Sequence, residues 1–466
     1  MTNPWHAQGM ADLAAALAEA VGTADLLSGG DISDDYSHDE ALTATARRPA
    51  HLVRPLTTEE VADIVGIAAE HGAPVTARGS GTGLSGACIP HDDGVVVSFE
   101  RMDRIIEIDL ENHVAVVQAG VTLEQLDEAI APHGLVYPVF PGESSASLGG
   151  NVATNAGGMR AVKYGVTRHQ VLGLTAVLGT GEVIRTGGKF VKATSGYDLT
   201  QLIIGSEGTL ALVTEAILRL YPRPGHAATV LAPFATLTEI TDAVPHIVAS
   251  GVAPLMVEYI DLVSMTGITA AAGLDLGIPA EIQTRALAYL VVVLEDHRPD
   301  RLDEDVEELA TLVAGLGALD VYVLPPGAGA QLVAARERAF WTAKASGAND
   351  IIDMVVPRAD ISRYMAAVAE LADATGSLVV GCGHAGDGNV HLSVFQGDDA
   401  KRHEVIHAIF EAGMALGGAI SGEHGIGTEK KRYFQELEDP AKLALLRRIK
   451  SAFDPAGILN PGTIFD

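Results

Sequence analysis

The stretch "RGSGTGLSG" (residues 78–86) decides how the first half of the chain is interpreted. It matches G-x-G-x-x-G, the pattern of dinucleotide-binding Rossmann folds. In a Rossmann unit this loop opens a helix, whereas here Gly86 is followed by "ACIPHDDG". Pro90 and the Asp-Asp-Gly turn leave no room for a helix before the strand "VVVSF". The context of a Rossmann fold is therefore missing, and the glycines need another explanation.

The four glycines between residues 79 and 86 give a backbone that reaches positive φ and approaches a ligand closely. Successive N–H groups in such a loop can point at an anion such as a phosphate. The alternative is a mobile surface loop. Arg78 leads the loop, and a second tract of small residues, "PGESSASLGGNVATNAGG" (141–158), follows in the same region. Together they predict a cleft for a large phosphorylated cofactor.

Length and composition limit the class of protein. A chain of 466 residues predicts two or three domains, and a net charge of −29 argues against nucleic acid or an anionic membrane surface as partner. Two cysteines, Cys88 and Cys382, exclude a disulfide framework and an iron–sulfur cluster held by four thiolates of this chain. The start of the chain lacks the pattern of a signal peptide, and the longest apolar runs are too short to span a bilayer. We therefore expect a cytoplasmic protein without a membrane span.

The order of predicted elements favours an α+β fold. Short β-rich runs fill the first half, with a hairpin turning near Thr180-Gly181, and the "PRPG" run at 222–225 marks a boundary. Beyond it, helical segments alternate with strands such as "LMVEYID" and "IIDMVVP", which indicates a sheet covered by helices. A helical tail is predicted over 402–453.

A candidate metal site lies in "CGHAGDGNVH" (382–391). If Asp387 and Gly388 form the centre of a tight hairpin, cross-strand partners have numbers that sum to 775, and His384 faces His391. Their Cβ atoms would then lie about 4.5–5.5 Å apart, a distance at which two imidazoles can share one divalent ion. Two ordinary sheet histidines are the alternative.

A possible third ligand stands in "SGEHGIG" (421–427), where Glu423 is next to His424. Adjacent extended residues point to opposite sides, so Glu423 could bind a metal while His424 faces a neighbouring position. A solvated loop acid is the alternative for Glu423.

The chain resembles a known family at these motifs. "PVTARGSGTGLSGACIP", "LGGNVATNAGGMRAVKYG" and "IIGSEGTLALVTEAILRLYP" resemble the flavin domain of the vanillyl-alcohol oxidase (PCMH-type) superfamily. With G-H-x-G-D-G-N-x-H and S-G-E-H-G, the resemblance is to the FAD-linked D-2-hydroxy-acid dehydrogenases, which include D-lactate dehydrogenase and the flavin subunit of glycolate oxidase. It runs from about residue 45 to the C-terminus.

The resemblance implies an α+β architecture with four parts. These are an N-terminal helical segment, a PCMH-type two-part FAD-binding domain, an α+β substrate (cap) domain with an antiparallel sheet, and a C-terminal helical segment that returns to the flavin. The expected boundaries are 1–45, 46–225, 226–405 and 406–466.

The resemblance also implies which residues bind FAD. They are Arg78, Gly79, Ser80, Gly81, Thr82, Gly83, Pro141, Gly142, Ser147, Gly150, Asn151, Thr154, Gly157, Glu207, Gly208, Val213 and Asn460. Relatives with covalent flavin commonly carry a histidine where this chain has Thr82, so FAD is expected to bind noncovalently.

For the reaction itself, the resemblance implies His384, His391 and Glu423 as metal ligands, with zinc favoured and manganese or iron as alternatives. His424 would be the base and Asn389 would lie near the substrate or flavin. Arg336 would bind the substrate carboxylate through its guanidinium fork, unless Arg336, Glu337 and Arg338 form a plain solvated helix face.

The implied activity is oxidation of a D-2-hydroxy acid to the 2-oxo acid, with hydride transfer to N5 of FAD. Ile351 and Ile352 stand where the hydroxyglutarate branch carries a lysine, which favours a lactate- or glycolate-like monocarboxylate, although Arg358 could restore a second carboxylate contact. Electrons would pass to a quinone, a cytochrome, an electron-transfer flavoprotein or an iron–sulfur subunit. The alternatives are a D-2-hydroxyglutarate dehydrogenase, an oxygen-using alcohol oxidase of the same fold, and a noncatalytic flavin subunit.

Overall fold

The computed structural model describes residues 4–465, which fold around sheets of four, five and eight strands and one two-stranded pair. The mixture of helices with largely antiparallel sheets confirms the predicted α+β class. The first three residues of the expected 1–45 segment and the last residue of the 406–466 segment lie outside the described residues.

The loop with four glycines (residues 79–86) follows a strand of the four-stranded sheet. Its strands, in the order β1-β2-β4-β3, are β1 (Leu26–Ser28), β2 (His51–Val53), β3 (Val75–Arg78) and β4 (Val95–Ser98). Strands β2 and β3 both run parallel to β4, and β3 ends at Arg78, so the loop leaves the carboxyl end of that strand. Helices α1 (Pro4–Val21) and α2 (Thr58–His71) pack in this part of the molecule, and the Thr57 hydroxyl caps α2 by accepting from Glu60 N at 3.1 Å.

The five-stranded sheet is antiparallel, and its strands are β5 (Ile105–Asp109), β6 (Val114–Gln118), β8 (Val171–Leu178), β9 (Val183–Gly187) and β10 (Ala211–Arg219), in the order β5-β6-β10-β8-β9. A small pair joins β7 (Leu135–Val136) to β11 (Tyr221–Pro222). The helices of this part are α3 (Leu123–Ile130), α4 (Leu148–Thr154), α5 (Ala161–Tyr164), α6 (Thr167–Gln170) and α7 (Leu199–Ile203). Val177 pairs with Val183, which confirms the predicted hairpin near Thr180.

The eight-stranded sheet is entirely antiparallel and has the order β15-β12-β14-β13-β17-β18-β16-β19. Its strands are β12 (His226–Phe234), β13 (Met256–Asp261), β14 (Ala288–Asp296), β15 (Tyr322–Leu324), β16 (Asp350–Val355), β17 (Leu378–His384), β18 (Asn389–Phe395) and β19 (Ala419–Ile420). The accompanying helices are α8 (Leu237–Ala249), α9 (Leu262–Ala272), α10 (Ala280–Gln283), α11 (Pro299–Gly315), α12 (Pro326–Glu337), α13 (Ala339–Ala345), α14 (Ile361–Thr375) and α15 (Asp399–Ala415).

The two faces of this sheet have different roles. Val390, Leu392 and Val394 on β18 face the largest apolar core, together with α8, α11, α14 and α15. Since side chains alternate along a strand, His391, Ser393 and Phe395 point to the opposite face, which carries the candidate site.

The C-terminal tail is less helical than predicted. Between α15 and the helices α16 (Lys431–Leu437) and α17 (Pro440–Phe453), the chain forms the edge strand β19 and an irregular loop. Glycines break the helix here: a Cβ at Gly418 would lie 2.4 Å from Val355 O, so only glycine fits against β16. The final residues return to β3, where Val75 N donates to Ile458 O at 2.8 Å and Asn460 N donates to Val75 O at 2.7 Å.

Candidate active site

A cleft of about 1260 Å³ is lined by the loop after β3, the 141–158 tract and the start of β10. Most residues expected at the cofactor meet in it. They are Gly79, Ser80, Gly81, Thr82, Gly83, Pro141, Ser147, Gly150, Asn151, Thr154, Glu207, Gly208 and Val213. The two glycine-containing tracts therefore line one cleft, although they lie about sixty residues apart in sequence.

The lining of the cleft fits a dinucleotide such as FAD. A Cβ at Gly79 would lie 2.0 Å from Ser147 Oγ, so the two loops approach closely and a larger residue at position 79 would displace this hydroxyl. Within the described chain, no N–H group from Gly79 to Gly83 donates to a protein acceptor, and Nδ2 of buried Asn151 is also unpaired. The loop residues are half-buried or exposed, and successive N–H groups in such a loop can point at an anion, so these donors, together with the buried Asn151 amide, suit phosphate and ring acceptors.

Replacing Gly79 by alanine is expected to weaken FAD binding by about ten-fold. The added methyl group would displace the Ser147 hydroxyl, which caps α4 by accepting from Gly150 N at 3.3 Å, and a lost cap costs about 0.5–2 kcal/mol. Titration of the apoprotein with FAD measures the change. The matched control is Gly66→Ala in α2, where a Cβ meets nothing within 4 Å; equal affinities of both variants would contradict the prediction.

Two of the expected cofactor residues lie behind the cleft wall instead of lining it. Arg78 donates from Nη1 to His38 O at 2.6 Å and lies over the Tyr36 ring. Asn460 donates from Nδ2 to Ala87 O at 2.9 Å and to Glu207 O at 2.8 Å. Both side chains hold the loops around the cleft in place, and direct contact with FAD stays a prediction for them.

Glu207 and two further expected residues, Gly157 and Gly142, connect the cleft to the second half of the molecule. The Glu207 carboxylate accepts from Ile426 N and Gly427 N, both at 2.7 Å, and burial raises the pKa of this carboxyl to about 7. A Cβ at Gly157 would lie 2.6 Å from Glu423 Oε2, and Gly142 lines the neighbouring cavity. These contacts bring the 421–427 loop against the cofactor cleft.

The predicted hairpin register differs from the observed one by two residues. His384 pairs with Asn389 and Cys382 pairs with His391, so partner numbers sum to 773 and not to 775. The turn is longer than predicted because Ala385–Gly388 all lie between the strands. Side chains alternate with a period of two, so the shift leaves His384 and His391 on the same face, diagonal to each other, with ring centroids 4.9 Å apart.

The three proposed metal ligands converge. Glu423 Oε1 lies 3.2 Å from His384 Nε2 and 3.1 Å from His391 Nε2. Bonds of about 2.0–2.1 Å in a tetrahedral zinc site place neighbouring donor atoms about 3.3 Å apart, so the spacing fits a shared divalent ion. Burial favours the neutral carboxyl, but the two imidazoles hold the pKa of Glu423 well below its usual range. The carboxylate is therefore ionised and able to bind a cation.

Glu258 on β13 contacts His384 and orients its imidazole ring within the cluster. Its Oε1 lies 2.7 Å from His384 Nδ1, an arrangement that keeps the proton on Nδ1 and directs the Nε2 lone pair at the metal position. Burial alone would lower the pKa of His384, but Glu258 and Glu423 raise it well above its usual value, so without a metal ion Nε2 also carries a proton, which a bound cation would displace. Glu258 Oε2 also forms an ion pair with Arg336 Nη2 at 2.8 Å, and Arg336 Nε keeps an unused donor at the cavity.

Asp353 on β16 holds the 421–424 loop. It is fully buried, and its Oδ2 accepts from Ser421 Oγ at 2.7 Å, from Glu423 N at 3.0 Å and from His424 N at 2.9 Å. Its Oδ1 accepts from Asn389 Nδ2 at 2.7 Å, which places the Asn389 amide below the cluster and away from both cavities. The Asn389 side chain thus contacts Asp353, and its contact with substrate or flavin stays a prediction.

Asp353→Asn is expected to lower kcat by about 10- to 100-fold. The amide offers one oxygen acceptor instead of two, so at least one hydrogen bond to a charged group, worth about 1.5–3 kcal/mol, is lost from the loop that carries Glu423 and His424. Turnover normalised to bound FAD measures this effect. Asp373→Asn on the exposed side of α14 is the control, and equal kcat in both variants would show that Asp353 does not position the loop.

His424 lines both the cofactor cleft and the neighbouring cavity. Its ring stacks on His391 with centroids 4.9 Å apart and an interplanar angle of 20°. Burial, with help from His391 and Lys430, lowers the pKa of His424 to about 4 against the opposing effect of Asp353. The imidazole is therefore neutral near pH 7 and can accept a proton.

The neighbouring cavity, of about 1050 Å³, meets the cofactor cleft at Glu423 and His424. Arg336 lines it, as expected for a residue that binds a substrate carboxylate. Ile351 also lines it, whereas Arg358 is exposed and does not, so the structure offers no second carboxylate contact from Arg358.

Glu258 and Asp353 are functional candidates that the sequence interpretation missed. Each is a lone acid inside an apolar strand, in "LMVEYID" and "IIDMVVP". An acid in a run that must be buried requires a partner, and this signal could have identified both residues.

Comparison with known proteins shows the family of this chain. Residues 49–187 match the family model described as FAD binding domain, and residues 223–464 match that of FAD linked oxidases, C-terminal domain. The chain is 56% identical over 456 residues to an uncharacterised FAD-linked oxidoreductase of Mycobacterium tuberculosis, covering 98% of this chain and 99% of that protein. It is 38% identical to a D-lactate dehydrogenase of Archaeoglobus fulgidus, covering 93% and 96%.

The protein therefore belongs to the FAD-linked oxidases, in the group of FAD-linked oxidoreductases that includes D-lactate dehydrogenase. The solved structure of p-cresol methylhydroxylase shares the fold, with a TM-score of 0.80 at 18% identity over 98% of this chain and 97% of that one. The predicted PCMH-type fold is thereby confirmed. Among the described helices, none combines the length and apolar character needed to cross a membrane.

Proposed function

We propose that this protein is a FAD- and divalent-metal-dependent dehydrogenase that oxidises a D-2-hydroxy monocarboxylate to the 2-oxo acid. One observation carries the proposal: His424 and the His384–His391–Glu423 cluster lie where the cofactor cleft meets a second cavity that contains Arg336. A substrate in that cavity would have a base, a cation site and a carboxylate-binding guanidinium around its reactive carbon.

Three residues of this chain would have separate roles in the reaction. Arg336, held by Glu258, binds the substrate carboxylate and orients the molecule. His424, which is neutral at pH 7, accepts the proton of the hydroxyl group. Asp353 accepts hydrogen bonds from the backbone N–H groups of Glu423 and His424 and so holds both residues in position.

The two bound groups would supply chemistry that side chains lack. FAD, when bound noncovalently in the cleft, supplies the hydride acceptor at N5. A divalent ion held by His384, His391 and Glu423 supplies a Lewis acid, and the set of two imidazoles and one carboxylate suits zinc, manganese or iron.

A monocarboxylate of the lactate or glycolate type is favoured over a dicarboxylate such as hydroxyglutarate. Arg336 is the one arginine or lysine among the described residues that line the second cavity, and it is already assigned to the carboxylate next to the hydroxyl. A distal carboxylate would be buried without a cationic partner, which is costly.

Reduced flavin needs an external electron acceptor. Two cysteines cannot hold an iron–sulfur cluster with four thiolate ligands, so we propose that electrons leave for a quinone, a cytochrome, an electron-transfer flavoprotein or a separate iron–sulfur subunit. The division into a FAD-binding domain (46–225), a cap domain (226–405) and flanking segments (1–45, 406–466) is part of the same proposal.

The test is a panel of D- and L-2-hydroxy acids offered to the purified holoprotein with an artificial dye. We expect dye reduction with D-acids and at most one-hundredth of that rate with L-enantiomers, since Arg336 and His424 fix one face of the substrate. Absence of flavin bleaching by every acid would refute the proposal. Rapid reoxidation by oxygen without dye would favour an alcohol oxidase instead.

A further inference from the structure

We infer that the acid bound here carries a large apolar group, such as a medium-length alkyl chain or an aromatic ring, on the carbon that bears the hydroxyl. This inference rests on the proposed function and narrows its substrate class. It follows from the shape and chemistry of the second cavity beyond the His384–His391–Glu423 cluster.

The floor of the cavity is one face of the eight-stranded sheet. Along β18 it runs from His391 through Ser393 to Phe395, and along the paired strand β17 it runs from Cys382 to Val380. Four residues of strand span about 13 Å, so the floor extends well beyond the reach of a methyl group bound at the cluster.

Two helices form the opposite wall. Val263, Gly267 and Ile268 of α9 and Phe340 and Ala343 of α13 line the cavity. Gly267 leaves space between these helices, because a Cβ there would meet only Thr342 Cγ2, at 3.5 Å. The cavity is therefore a channel between a sheet face and a helix pair, and not a shallow pocket limited to the cluster.

Charge is confined to one end of this channel. The charged or ionisable lining residues are those around the cluster, namely Arg336, Glu337, Cys382, His384, His391, Glu423 and His424. The other polar side chains of the lining are the hydroxyls of Ser264, Thr342, Ser346 and Ser393 among otherwise apolar residues. Among the described lining residues along β18 beyond His391 and along α9 and α13, none carries a charge. A ligand that matches this lining has its carboxylate and hydroxyl at one end and an uncharged arm at the other.

Short acids would leave most of the apolar lining in contact with water. Each methylene group that the channel removes from water contributes about a four-fold gain in binding, which is the factor that corresponds to about 0.8 kcal/mol. The channel therefore favours a long substituent over the methyl group of lactate or the hydrogen of glycolate.

The experiment compares kcat/KM of the holoprotein for glycolate, D-lactate, D-2-hydroxyhexanoate, D-2-hydroxyoctanoate and D-phenyllactate. We expect kcat/KM to rise at least about 100-fold from D-lactate to D-2-hydroxyoctanoate. A flat or falling series would overturn the inference while leaving the proposed function intact. If no acid of the series bleaches the flavin, the proposed function fails and this inference fails with it.

A variant locates the effect in the channel. Gly267→Leu places four carbon atoms between α9 and α13, so the ratio of kcat/KM for 2-hydroxyoctanoate to that for D-lactate should fall at least about ten-fold. The matched control is Gly315→Leu at the exposed end of α11, where a Cβ meets nothing within 4 Å, and its ratio should equal that of the wild type. An unchanged ratio in Gly267→Leu would overturn the assignment of the channel.

A binding measurement separates affinity from turnover. Octanoate and acetate lack the hydroxyl group and cannot react, so the perturbation of the flavin absorption spectrum reports their Kd directly. Octanoate should bind at least about 100-fold more tightly than acetate. Equal Kd values would overturn the inference. Because this comparison uses the wild-type protein, it tests the apolar channel even if Gly267→Leu does not fold.

Discussion

His424→Asn is expected to lower kcat by about 10²–10⁴ while FAD stays bound, which is the usual scale for the loss of a general base. The asparagine side chain can occupy a similar volume, but its amide nitrogen has no lone pair that accepts a proton. The backbone N–H of residue 424 would still donate to Asp353 Oδ2, so the loop should keep its position. Turnover per bound flavin, measured with dye and a D-2-hydroxy acid, gives the result.

The control for this variant is His246→Asn on the exposed side of α8, which should behave as the wild type. FAD retention is expected because His424 is one of more than thirty residues that line the cofactor cleft. If His424→Asn turns over at the wild-type rate, His424 is not the base. If the variant loses FAD as well, the residue contributes to the cleft and the kinetic result has to be measured after reconstitution.

Removal of the proposed divalent metal by a chelator is expected to lower turnover by about 100-fold or more without bleaching the flavin. Loss of the cation would leave the Glu423 carboxylate hydrogen-bonded to a protonated His384 Nε2 and would remove the Lewis acid from the hydroxyl of the substrate. Elemental analysis of the chelated protein verifies that it is metal-free, and the visible spectrum verifies that FAD remains. Restoration by zinc, manganese or iron, one at a time, identifies the ion.

His391→Ala is the genetic counterpart of chelation. Removing one of three ligands should lower the metal content of the purified protein. Loss of a residue that only hydrogen-bonds a metal ligand often lowers metal affinity by about 10–100-fold, so the loss of a ligand should have a larger effect. Exposed His297→Ala is the matched control. Normal turnover by a verified metal-free wild-type protein would show that the cluster has no coordination role in the reaction.

Much of the fold could be predicted from local signals. Proline and glycine at residues 222–225 precede β12, alternation and turn residues mark the β8–β9 hairpin, and Thr57 marks the start of α2. The placement of His384 and His391 on one face was also predictable, since a shift of two residues in register preserves the face. The register itself was not, because it depends on how many residues of Ala385–Gly388 the turn takes up.

The remaining features depend on contacts between distant segments. Glu258 and His384 are 126 residues apart, yet β13 and β17 are neighbours in the sheet and bring the two side chains to 2.7 Å. Likewise, Asn460 reaches Glu207 across 253 residues, and Asp353 reaches His424 across 71. Neither spacing nor periodicity carries information about such pairs.

The amino-acid sequence alone determined the loops with their glycines, the alternation that places two histidines on one strand face, and the family to which the chain belongs. These follow from local sterics and from motifs whose residues are close together in sequence. Only the tertiary structure decided which buried acids hold the site, where the 421–427 loop meets the cofactor cleft, and how far the apolar channel extends. The physical reason is that burying a charge or closing a cavity requires partners from several segments at once, so these properties arise only when the whole chain has packed.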